Sequence, residues 1–521
     1  MTSGLGVWWT VGACVVGLVP AGARWLRVAQ REHYLAGSCV RFALRWWLRV
    51  PPNVPLLAIA TTGVGLAVRW PLCGFATVLA AGFVGPLFLS ARGRTSRLVL
   101  TRRLRLLAAV WAVLEGIIIV VGWASGIPAV LAAAGLLIAP GVVDVACALT
   151  APIERRVLDA YVKQASSRLQ RVHPTVVAVT GSYGKTSTKS HIAHLLTGTL
   201  RVVATPASFN NRAGLARAIN EHLGEATEVF VAEMGTYGPG EIAELCRWCP
   251  PQVAVITAIG PVHLERFRSI DAIVAAKAEI AEPASTVILN TDDPRLAAVA
   301  DRLASEPRAK RVLRCSAIET TADICVRPKN GTVALWQRGV CLAEGLRASP
   351  GAQFTNLACA VAVALELGVP SQVVAARLET IPAVAHRLEA VVAPSGVVVL
   401  DDTYNANPAG TKAALQALHA IPGDGRRAVV TPGMVELGRC QRTENQSFAA
   451  ACCAVATDLL IVGFTNRRAL LEGVRRSSAE GARNVRCLTV RTREAAVAWV
   501  RSNLSAGDAV LYENDLPDHY P

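Results

Sequence analysis

Five long apolar stretches within the first 150 residues constrain the fold more than any other feature. They cover residues 5–22, 53–68, 71–90, 106–124 and 128–149. A helix of about 20 apolar residues crosses the hydrocarbon core of a bilayer; two of the stretches reach that length and the others come close. We therefore expect a multi-span transmembrane region of about five helices over residues 1–152. A buried helical bundle in a soluble protein is the alternative interpretation.

Two of the loops between these stretches are rich in arginine. The loop after the first stretch holds Arg24, Arg27, Arg31, Arg41, Arg45 and Arg49, and the loop after the third holds Arg92, Arg94, Arg97, Arg102, Arg103 and Arg105. Positive residues favour the cytoplasmic side. This predicts an N-terminus outside the inner membrane and cytoplasmic catalytic domains after Glu154. Glu115 and Asp144 are weak evidence for a transport path.

The distribution of charge argues against nucleic-acid binding, and the spacing of the cysteines argues against a disulfide framework or a zinc site. Much of the net charge of +15 comes from arginines between apolar stretches, without a nucleic-acid-binding motif, so we expect no nucleic acid partner. The 14 cysteines have no regular spacing, which favours reduced cysteines in the core. The pair Cys246 and Cys249 lacks the second pair that a zinc site needs.

The rest of the chain is typical of an α/β protein. After a linker helix over residues 153–174, short apolar runs alternate with amphipathic segments. Eight of these runs predict buried parallel strands: 176–180, 229–232, 253–256, 287–289, 397–400, 428–430, 459–462 and 509–511. The alternation indicates two doubly wound sheets. The expected boundary, near Pro382–Arg387, separates a central domain (175–384) from a C-terminal domain (385–521).

The stretch TGSYGKTSTK (180–189) has the form of a phosphate-binding loop. It follows a predicted strand and opens a helix, so its backbone N–H groups and the helix dipole would face an anion. Lys185 would reach the terminal phosphates and the Thr186 hydroxyl would bind Mg²⁺. The first glycine lies only three residues before Gly184, so the spacing differs from the usual P-loop. Its strand–turn–helix context still predicts phosphate binding.

This loop and seven further stretches resemble the Mur ligases, ATP-dependent enzymes that form amide bonds. The further stretches are SFNNRAG (208–214), VAEMGTYGPGEIAEL (231–245), VHLERFRSIDAIVAAKAEI (262–280), NLACAVAVALELGV (356–369), HRLEAV (386–391), VLDDTYNANPAGTKAALQAL (399–418) and PGMVELG (432–438). They follow the order of the family. The resemblance implies a P-loop-type central domain, a Rossmann-like C-terminal domain, and ATP and Mg²⁺ as cofactors.

The resemblance also implies roles for individual residues. It assigns Glu233, His263 and Lys277, with Thr186, to metal binding, Lys277 being carbamylated by CO₂ in the matching enzymes. It assigns Lys185, Lys277, His263 and Asn211 to catalysis, with Asn210 beside Asn211 at the carboxylate-phosphate site. It assigns nucleotide binding to ten residues: Gly181, Ser182, Gly184, Lys185, Thr186, Ser187, Asn356, Arg387, Asp402 and Asn405. Tyr404 and Asn407 belong to the same loop as Asn405. From the sequence alone, His263 would be structural and Glu233 and Lys277 solvated charges.

Two departures from the family limit what can be said about substrates. The membrane region occupies the place of the UDP-sugar-binding domain, and LYENDLPDHYP replaces the usual KGSRG-type loop. We expect a membrane-anchored carboxylate–amine ligase that works through an acyl phosphate, in cell-wall or secondary-metabolite synthesis. Its carboxylate could be lipid-linked and its amine an amino acid or a dipeptide. The alternatives are a D-alanyl-D-alanine-adding enzyme and a nucleotide-binding scaffold without catalysis. A membrane transporter driven by the same loop would need LSGGQ and Walker-B signatures, which this sequence lacks.

Overall fold

The computed structural model describes residues 2–91, 93, 98–262, 264–306, 310–329, 331–347, 353–382, 388–404, 406–479, 485–516 and 519–521. The chain divides into two compact units. The first comprises residues up to Val157 with Gly463–Thr465 and the described part of 516–521, and the second comprises Leu158–Val462 and Asn466–Asp515.

The first unit is helical, and each of the five predicted apolar stretches contributes to a helix. The helices are α1 (Thr2–Arg31), α2 (Ser38–Arg49), α3 (Asn53–Leu66), α4 (Gly74–Thr77, extended as a π-helix over Val78–Val84), α5 (Arg102–Ala124) and α6 (Pro128–Val172). Among the described helices, α1, α5 and α6 are long and apolar enough to cross a membrane. The second and third stretches form shorter helices, which at 1.5 Å per residue fall short of a bilayer of about 30 Å.

The last apolar stretch and the predicted linker helix are one helix rather than two. The helix α6 runs for 45 residues and contains Pro140 and Pro152. Its final turns belong to the second unit, where Val162, Ala165 and Leu169 pack into the core. A proline inside a helix removes one backbone hydrogen bond and commonly kinks the helix, but α6 continues through both prolines.

The acidic residues of the apolar stretches have structural partners. Asp144 accepts hydrogen bonds from the backbone N–H groups of Cys39 (3.1 Å) and Val40 (2.9 Å) at the N-terminus of α2. A carboxylate at this position offsets the positive end of the helix dipole. Glu115 accepts a hydrogen bond of 3.1 Å from the Trp111 indole. These contacts account for both residues without a transport path.

The end of the chain packs within the first unit. The His519 side chain is buried and lies 2.8 Å from a Glu32 carboxylate oxygen, and its carbonyl accepts a hydrogen bond of 2.8 Å from Trp46. The Phe42 ring contacts the rings of both His519 and Tyr520. The segment LYENDLPDHYP, which stands in place of the family loop, therefore ends in residues that contact α1 and α2.

Membrane topology gives the first testable prediction. We expect a cysteine at Val99, beside the second arginine-rich loop, to react only from the cytoplasmic side, and one at Ser125, between α5 and α6, to react from outside. A membrane-impermeant maleimide on intact cells measures this, with Cys73 between α3 and α4 replaced by serine. Reaction of Val99→Cys from outside would contradict the topology.

The central domain is built on a nine-stranded sheet. Its strands are β1 (Thr175–Thr180), β2 (Val202–Ala204), β3 (Val229–Glu233), β4 (Val253–Ile256), β5 (Thr286–Asn290), β6 (Arg311–Ser316), β7 (Ile324–Lys329), β8 (Thr332–Gln337) and β9 (Val340–Leu346). The order is β2-β3-β1-β4-β5-β6-β7-β8-β9, parallel from β2 to β7 and antiparallel for β7-β8 and β8-β9. Its helices are α7 (Lys185–Leu196), α8 (Arg212–His222), α9 (Glu241–Trp248), α10 (Leu264–Phe267), α11 (Ile270–Ala278), α12 (Pro294–Ala304), α13 (Phe354–Glu366) and α14 (Ser371–Leu378).

Apolar side chains fill both faces of this sheet, as continuous Val/Ile/Leu runs predict for parallel strands. One core contains α8, α9 and α11, and the other contains α7 and α13. Cys246 and Cys249 are buried in the first of these cores and have raised thiol pKa values because of burial. They therefore fill the core as the sequence indicated.

The C-terminal domain has a six-stranded sheet. Its strands are β10 (Glu389–Val392), β11 (Val398–Asp402), β12 (Arg427–Thr431), β13 (Asp458–Val462), β14 (Arg486–Val490) and β15 (Ala509–Glu513). The order is β10-β11-β15-β12-β13-β14, parallel except for β10-β11. Its helices are α15 (Pro408–Ala420), α16 (Gln441–Val455), α17 (Arg467–Ala479) and α18 (Arg493–Asn503). All eight predicted strands are present in the two sheets, and most of the others are short or lie toward the sheet edges.

Glu513, at the end of β15, gives a prediction about stability. It is fully buried, and among the described residues neither of its carboxylate oxygens has a hydrogen-bond partner; burial, and next the charge of Asp402, raise its pKa well above the usual value. The folded protein therefore keeps a proton that the unfolded chain loses above a pH of about 4.5. Between this pH and the raised pKa of the folded state, the free energy of unfolding should fall by about 1.4 kcal/mol for each unit of rising pH. Glu513→Gln should remove this loss in thermal unfolding at several pH values, and an unchanged pH dependence would contradict the assignment.

Candidate active site

The glycine loop, Gly181–Gly184, lies between the end of β1 and the start of α7. A side chain at Gly181 (φ 156°) would place its Cβ 2.0 Å from the Thr257 hydroxyl oxygen, and one at Gly184 (φ 78°) would place it 2.4 Å from the Asn356 amide oxygen. Both positions therefore require glycine. The loop follows the carboxyl end of a central parallel strand, where open α/β sheets bind ligands.

Hydrogen bonds to the segment after β4 fix the shape of this loop. The Ser182 hydroxyl donates to the Gly260 carbonyl (3.1 Å) and accepts from the Gly260 N–H (2.9 Å), and the Ser182 N–H donates to the Ala258 carbonyl (2.7 Å). The Thr257 hydroxyl donates to the carbonyl of Tyr183. The first N–H groups of α7 have no helical acceptor. The hydrogen bonds from residues 257–260 keep the loop, and with it these N–H groups, in a fixed arrangement.

Lys185 lies beside the loop at the first position of α7. Its ammonium donates to the Gly181 carbonyl (2.8 Å) and to the Ser182 carbonyl (3.5 Å). Thr186 and Ser187 follow it in the first helical turn and are half-buried. The positive end of the helix dipole and the Lys185 charge are thus close together, an arrangement that stabilises a bound anion.

An open cleft with a cavity volume of about 40 Å³ begins at this loop. Its lining residues come from five segments of the central domain: Gly181, Ser182, Lys185, Asn210, Gly235, Thr236, Tyr237, Val262, Phe267 and Lys277. The cleft brings Lys185, Asn210 and Lys277 together, although they are far apart in sequence. It is large enough for small polar groups of a ligand, with polar side chains from several directions.

Lys277, on α11, is the most unusual residue of the cleft. Only 4% of it is exposed, and within the described part of the chain its ammonium has neither a hydrogen bond nor an ion pair. Burial, and next the charge of Lys185, lower its pKa well below the usual value. A buried ammonium without a partner is costly, so this side chain is unlike the solvated surface lysine that its sequence context alone indicated.

Glu233, at the end of β3, is fully buried and already held by two side chains. One carboxylate oxygen lies 3.1 Å from the Lys189 ammonium, and the other accepts a hydrogen bond of 3.0 Å from the Asn210 amide. Its backbone N–H donates to the Thr205 hydroxyl (3.1 Å). Register places Glu233 beside Val179 on β1, so its carboxylate lies at the same sheet edge as the glycine loop.

Lys189 is a residue of this site that the sequence analysis did not single out. It lies four residues after Lys185 on α7, and its ammonium also donates to the carbonyl of Ala207. Only 3% of it is exposed. The spacing KTSTK, which places both lysines on one helix face, was the available signal. Lys189 neutralises Glu233 and connects α7 to the segment before α8.

The Lys189–Glu233 pair gives a second prediction about stability. Lys189→Met leaves a buried carboxylate without its cation and should lower the free energy of unfolding by about 3–5 kcal/mol. The double variant Lys189→Met/Glu233→Gln should recover much of that loss, because no unpaired charge remains. Denaturant unfolding of the full chain measures both, with Lys163→Met, at an exposed position of α6, as the control. Equal losses in the single and double variants would show that the charge pair is not the cause.

The remaining sequence-predicted residues divide into four groups, the last of which lies on the second sheet. Asn356 is buried and its side chain lies against Gly184, and its assignment to the nucleotide stays a prediction. Asn211 caps α8 by accepting a hydrogen bond of 2.9 Å from the Gly214 N–H, whereas its neighbour Asn210 lines the cleft. His263, Arg387 and Asn405 lie outside the described residues.

The other predicted nucleotide residues lie at the carboxyl edge of the second sheet. Asp402 ends β11, and its carboxylate accepts a hydrogen bond of 3.2 Å from the Leu388 N–H. Asn407 caps α15 by accepting a hydrogen bond of 2.8 Å from the Gly410 N–H, and Tyr404 is exposed. The assignment of Asp402 to nucleotide binding stays a prediction.

The site fits a nucleotide phosphate better than a preformed metal cage. The loop residues Gly181 and Ser182 line the cleft beside Lys185, so the backbone at the start of α7 is accessible to an anion. Among the described residues there is no group of three or more His, Cys, Asp or Glu side chains that could hold a metal. Mg²⁺ usually binds one or two carboxylates together with substrate phosphates, so Glu233 and the Thr186 hydroxyl are a sufficient protein contribution.

Comparison with known proteins agrees with this geometry. The model of the Mur ligase middle domain matches residues 179–364, and that of the Mur ligase glutamate ligase domain matches residues 386–512. Two curated relatives are UDP-N-acetylmuramoyl-tripeptide–D-alanyl-D-alanine ligases. That of Mycobacterium bovis is 34% identical over 365 residues (65% of this chain, 69% of the relative), and that of Bacillus subtilis is 28% identical over 375 residues (68% and 76%).

The solved structures include a crystal structure of MurF ligase from Thermotoga maritima in complex with ADP. It is 26% identical, with a TM-score of 0.58, over 69% of this chain and 80% of that chain. Residues 1–178, which include the helices of the first unit, precede the segment matched by the family models. The identity and coverage of these matches place the chain in the Mur ligase family, whose members are ATP-dependent amide ligases.

Proposed function

We propose that this protein is a membrane-anchored ligase that joins a carboxylate to an amine. It uses ATP, releases ADP and phosphate, and activates the carboxylate as an acyl phosphate. The observation that carries the proposal is the cleft itself, which brings Lys185, Asn210 and Lys277 to the glycine loop at the carboxyl edge of the sheet. Catalysis of phosphoryl transfer depends on positioning and on charge stabilisation, and these residues supply both.

Each side chain has a task that its position supports. The glycine loop and the start of α7 bind the phosphates, and Lys185 stabilises the negative charge on the transferring group. Asn210, held by Glu233, orients the carboxylate of the substrate. Phe267 and Val262 give the same cleft an apolar side, which would limit the access of water to an activated carboxylate once the substrates are bound.

ATP with Mg²⁺ supplies the phosphoryl group and the positive charge that balances it. Thr186 and Glu233 are the described residues that would hold the metal, and Lys277 joins them if CO₂ converts its amine to a carbamate. A carbamate is an anionic oxygen ligand, so the conversion removes the cost of a buried ammonium without a partner. The roles of His263, Arg387 and Asn405 rest on the family resemblance alone.

The identity of the two substrates is the less constrained part of the proposal. The names of the curated relatives favour a D-alanyl-D-alanine-adding reaction on a UDP-sugar peptide. The three long apolar helices before the matched segment favour a carboxylate that is present at the membrane, such as a lipid-linked one. The same helices support a location in the cell membrane, with the ligase domains in the cytoplasm where ATP is available.

One experiment tests the proposal on mixtures that cover both classes of substrate. The full chain is incubated with ATP, a membrane lipid extract, UDP-sugar peptides and a pool of amino acids and dipeptides, and products are identified by mass spectrometry. We expect a new amide that forms in equal amount with ADP. Formation of ADP without any new amide, or of an amide that does not require ATP, would refute the ligase assignment.

A further inference from the structure

The outward face of α2 carries an apolar stripe that the proposed function does not use. Val40, Leu44 and Leu48 are spaced four residues apart and are 39%, 55% and 57% exposed. Residues at this spacing lie along one side of a helix. Single exposed apolar residues need no explanation, whereas contiguous exposed apolar residues mark interaction or membrane sites when the patch is large. We call these three residues the α2 stripe.

Three arginines run parallel to the α2 stripe. Arg41, Arg45 and Arg49 are each one position further along the helix, again four residues apart, and α2 contains no acidic residue. Arg41 and Arg49 are exposed, and the Arg45 guanidinium lies over the Phe42 ring at 5.1 Å. The outward face therefore combines apolar side chains with a row of positive charge.

The opposite face of α2 is already covered. Its residues Cys39, Phe42, Ala43, Trp46 and Trp47 are buried in the core of the first unit. The final residues of the chain add to this cover, because Phe42 packs against the His519 and Tyr520 rings and Trp46 donates to the His519 carbonyl. Within the part of the chain that the structure describes, the α2 stripe thus stays partly exposed, most of all at Leu44 and Leu48.

We propose that the α2 stripe lies in the headgroup region of an anionic lipid bilayer. A helix of this kind buries its apolar residues about 5–10 Å into the boundary between headgroups and acyl chains, while its basic residues pair with anionic lipids. Continuity with the apolar helices supports this occupant, since only residues 32–37 and 50–52 separate α2 from α1 and α3. Charge complementarity selects anionic lipids, as each arginine near such a surface contributes about 1 kcal/mol.

The consequence is a surface anchor beside the membrane-crossing helices. The final residues of the chain bind the other face of α2, where Trp46 donates to the His519 carbonyl. Anionic lipid at α2 would therefore stabilise a helix whose other face binds these residues. This inference goes beyond the ligase reaction and rests only on the proposed membrane location.

A fluorescence experiment on the full chain tests the inference. Leu44→Cys carries an environment-sensitive NBD label in a background in which the exposed Cys341 and Cys440 are serine. The protein is placed in nanodiscs of dioleoylphosphatidylcholine, alone or with about 30% dioleoylphosphatidylglycerol, an anionic lipid. Iodide in the water and a nitroxide near the lipid headgroups serve as quenchers. The controls are Ile318→Cys, at an exposed apolar position of the second unit, and Val120→Cys on α5.

We expect the Leu44 label to resist iodide and to be quenched by the nitroxide, more strongly in the anionic discs. Arg41→Gln and Arg49→Gln should each lower the ratio of headgroup-bound to free label about fivefold in anionic discs, and much less in neutral ones. Quenching of the Leu44 label by iodide as strongly as the Ile318 label would overturn the inference. Protection of the Leu44 label from iodide without quenching by the nitroxide would also overturn it, because this would indicate a protein partner. If the Val120 label is also open to iodide, the membrane location itself fails.

Discussion

Lys185→Ala is expected to lower ATP turnover at least a hundredfold. The Lys185 ammonium lies at the start of α7, against the carbonyls of Gly181 and Ser182, and lines the cleft. Removal of one donor that stabilises charge in a transition state typically costs about 3–4 kcal/mol of barrier, and each 1.36 kcal/mol corresponds to about tenfold in rate. ADP release by the purified full chain, with the lipid and amine pools present, measures the effect.

Lys163→Ala is the matched control for this substitution. Lys163 is an exposed lysine on α6, so its loss removes the same charge without touching the cleft. The control should keep the activity of the wild type, and both variants should unfold at similar temperatures. ADP release by Lys185→Ala at the rate of Lys163→Ala would refute the assignment of the glycine loop to ATP phosphates.

Lys277→Ala is expected to be nearly inactive and to recover part of its activity with short carboxylic acids. The side chain is 4% exposed, lines the cleft and has no ion-pair partner among the described residues. If it works as a carbamate, its loss removes an anionic metal ligand, and a small carboxylate that fills the space supplies the same charge. Initial rates with and without added acetate or propionate measure the recovery.

Depletion of CO₂ distinguishes carbamylation from a simple structural role. It should slow the wild type but leave the rescued variant unchanged, because only the wild type depends on CO₂. Lys185→Ala serves as the comparison, since acetate cannot replace a cation and should not restore its activity. Full activity of Lys277→Ala would show that this lysine is not part of the metal site, although the glycine loop would keep its assignment.

Much of the fold could be predicted because the chain uses strong local signals. Continuous runs such as TVVAVT are typical of buried parallel strands, and the glycines at 181 and 184 marked the loop that the structure shows to be sterically constrained. The missed strands are mainly short or at the edges of the sheets, such as β2 and β10, where few apolar residues are needed. The lengths of α3 and α4 could not be predicted, because apolar composition does not show where a helix ends.

The arrangement of the site was harder to predict than its members. The sequence identified Glu233 and Lys277 only through the family resemblance, because a lone acid or lysine is usually solvated. It did not identify Lys189 as the partner of Glu233, since the pairing depends on how α7 packs beside β3. Nor did it distinguish the roles of Asn210 and Asn211. The Asn210 side chain lines the cleft, whereas the Asn211 side chain caps α8.

The most direct test of the central claim is an isotope-exchange measurement without the amine. ATP is labelled with oxygen-18 in the bridge between its last two phosphates and incubated with the full chain and the fraction that contains the carboxylate. If the carboxylate is phosphorylated first and reversibly, the label should scramble into non-bridging positions of the remaining ATP, and later addition of the amine should yield ADP and phosphate. Scrambling should be absent in Lys185→Ala. Release of AMP and pyrophosphate would instead indicate adenylation of the carboxylate and would contradict the account.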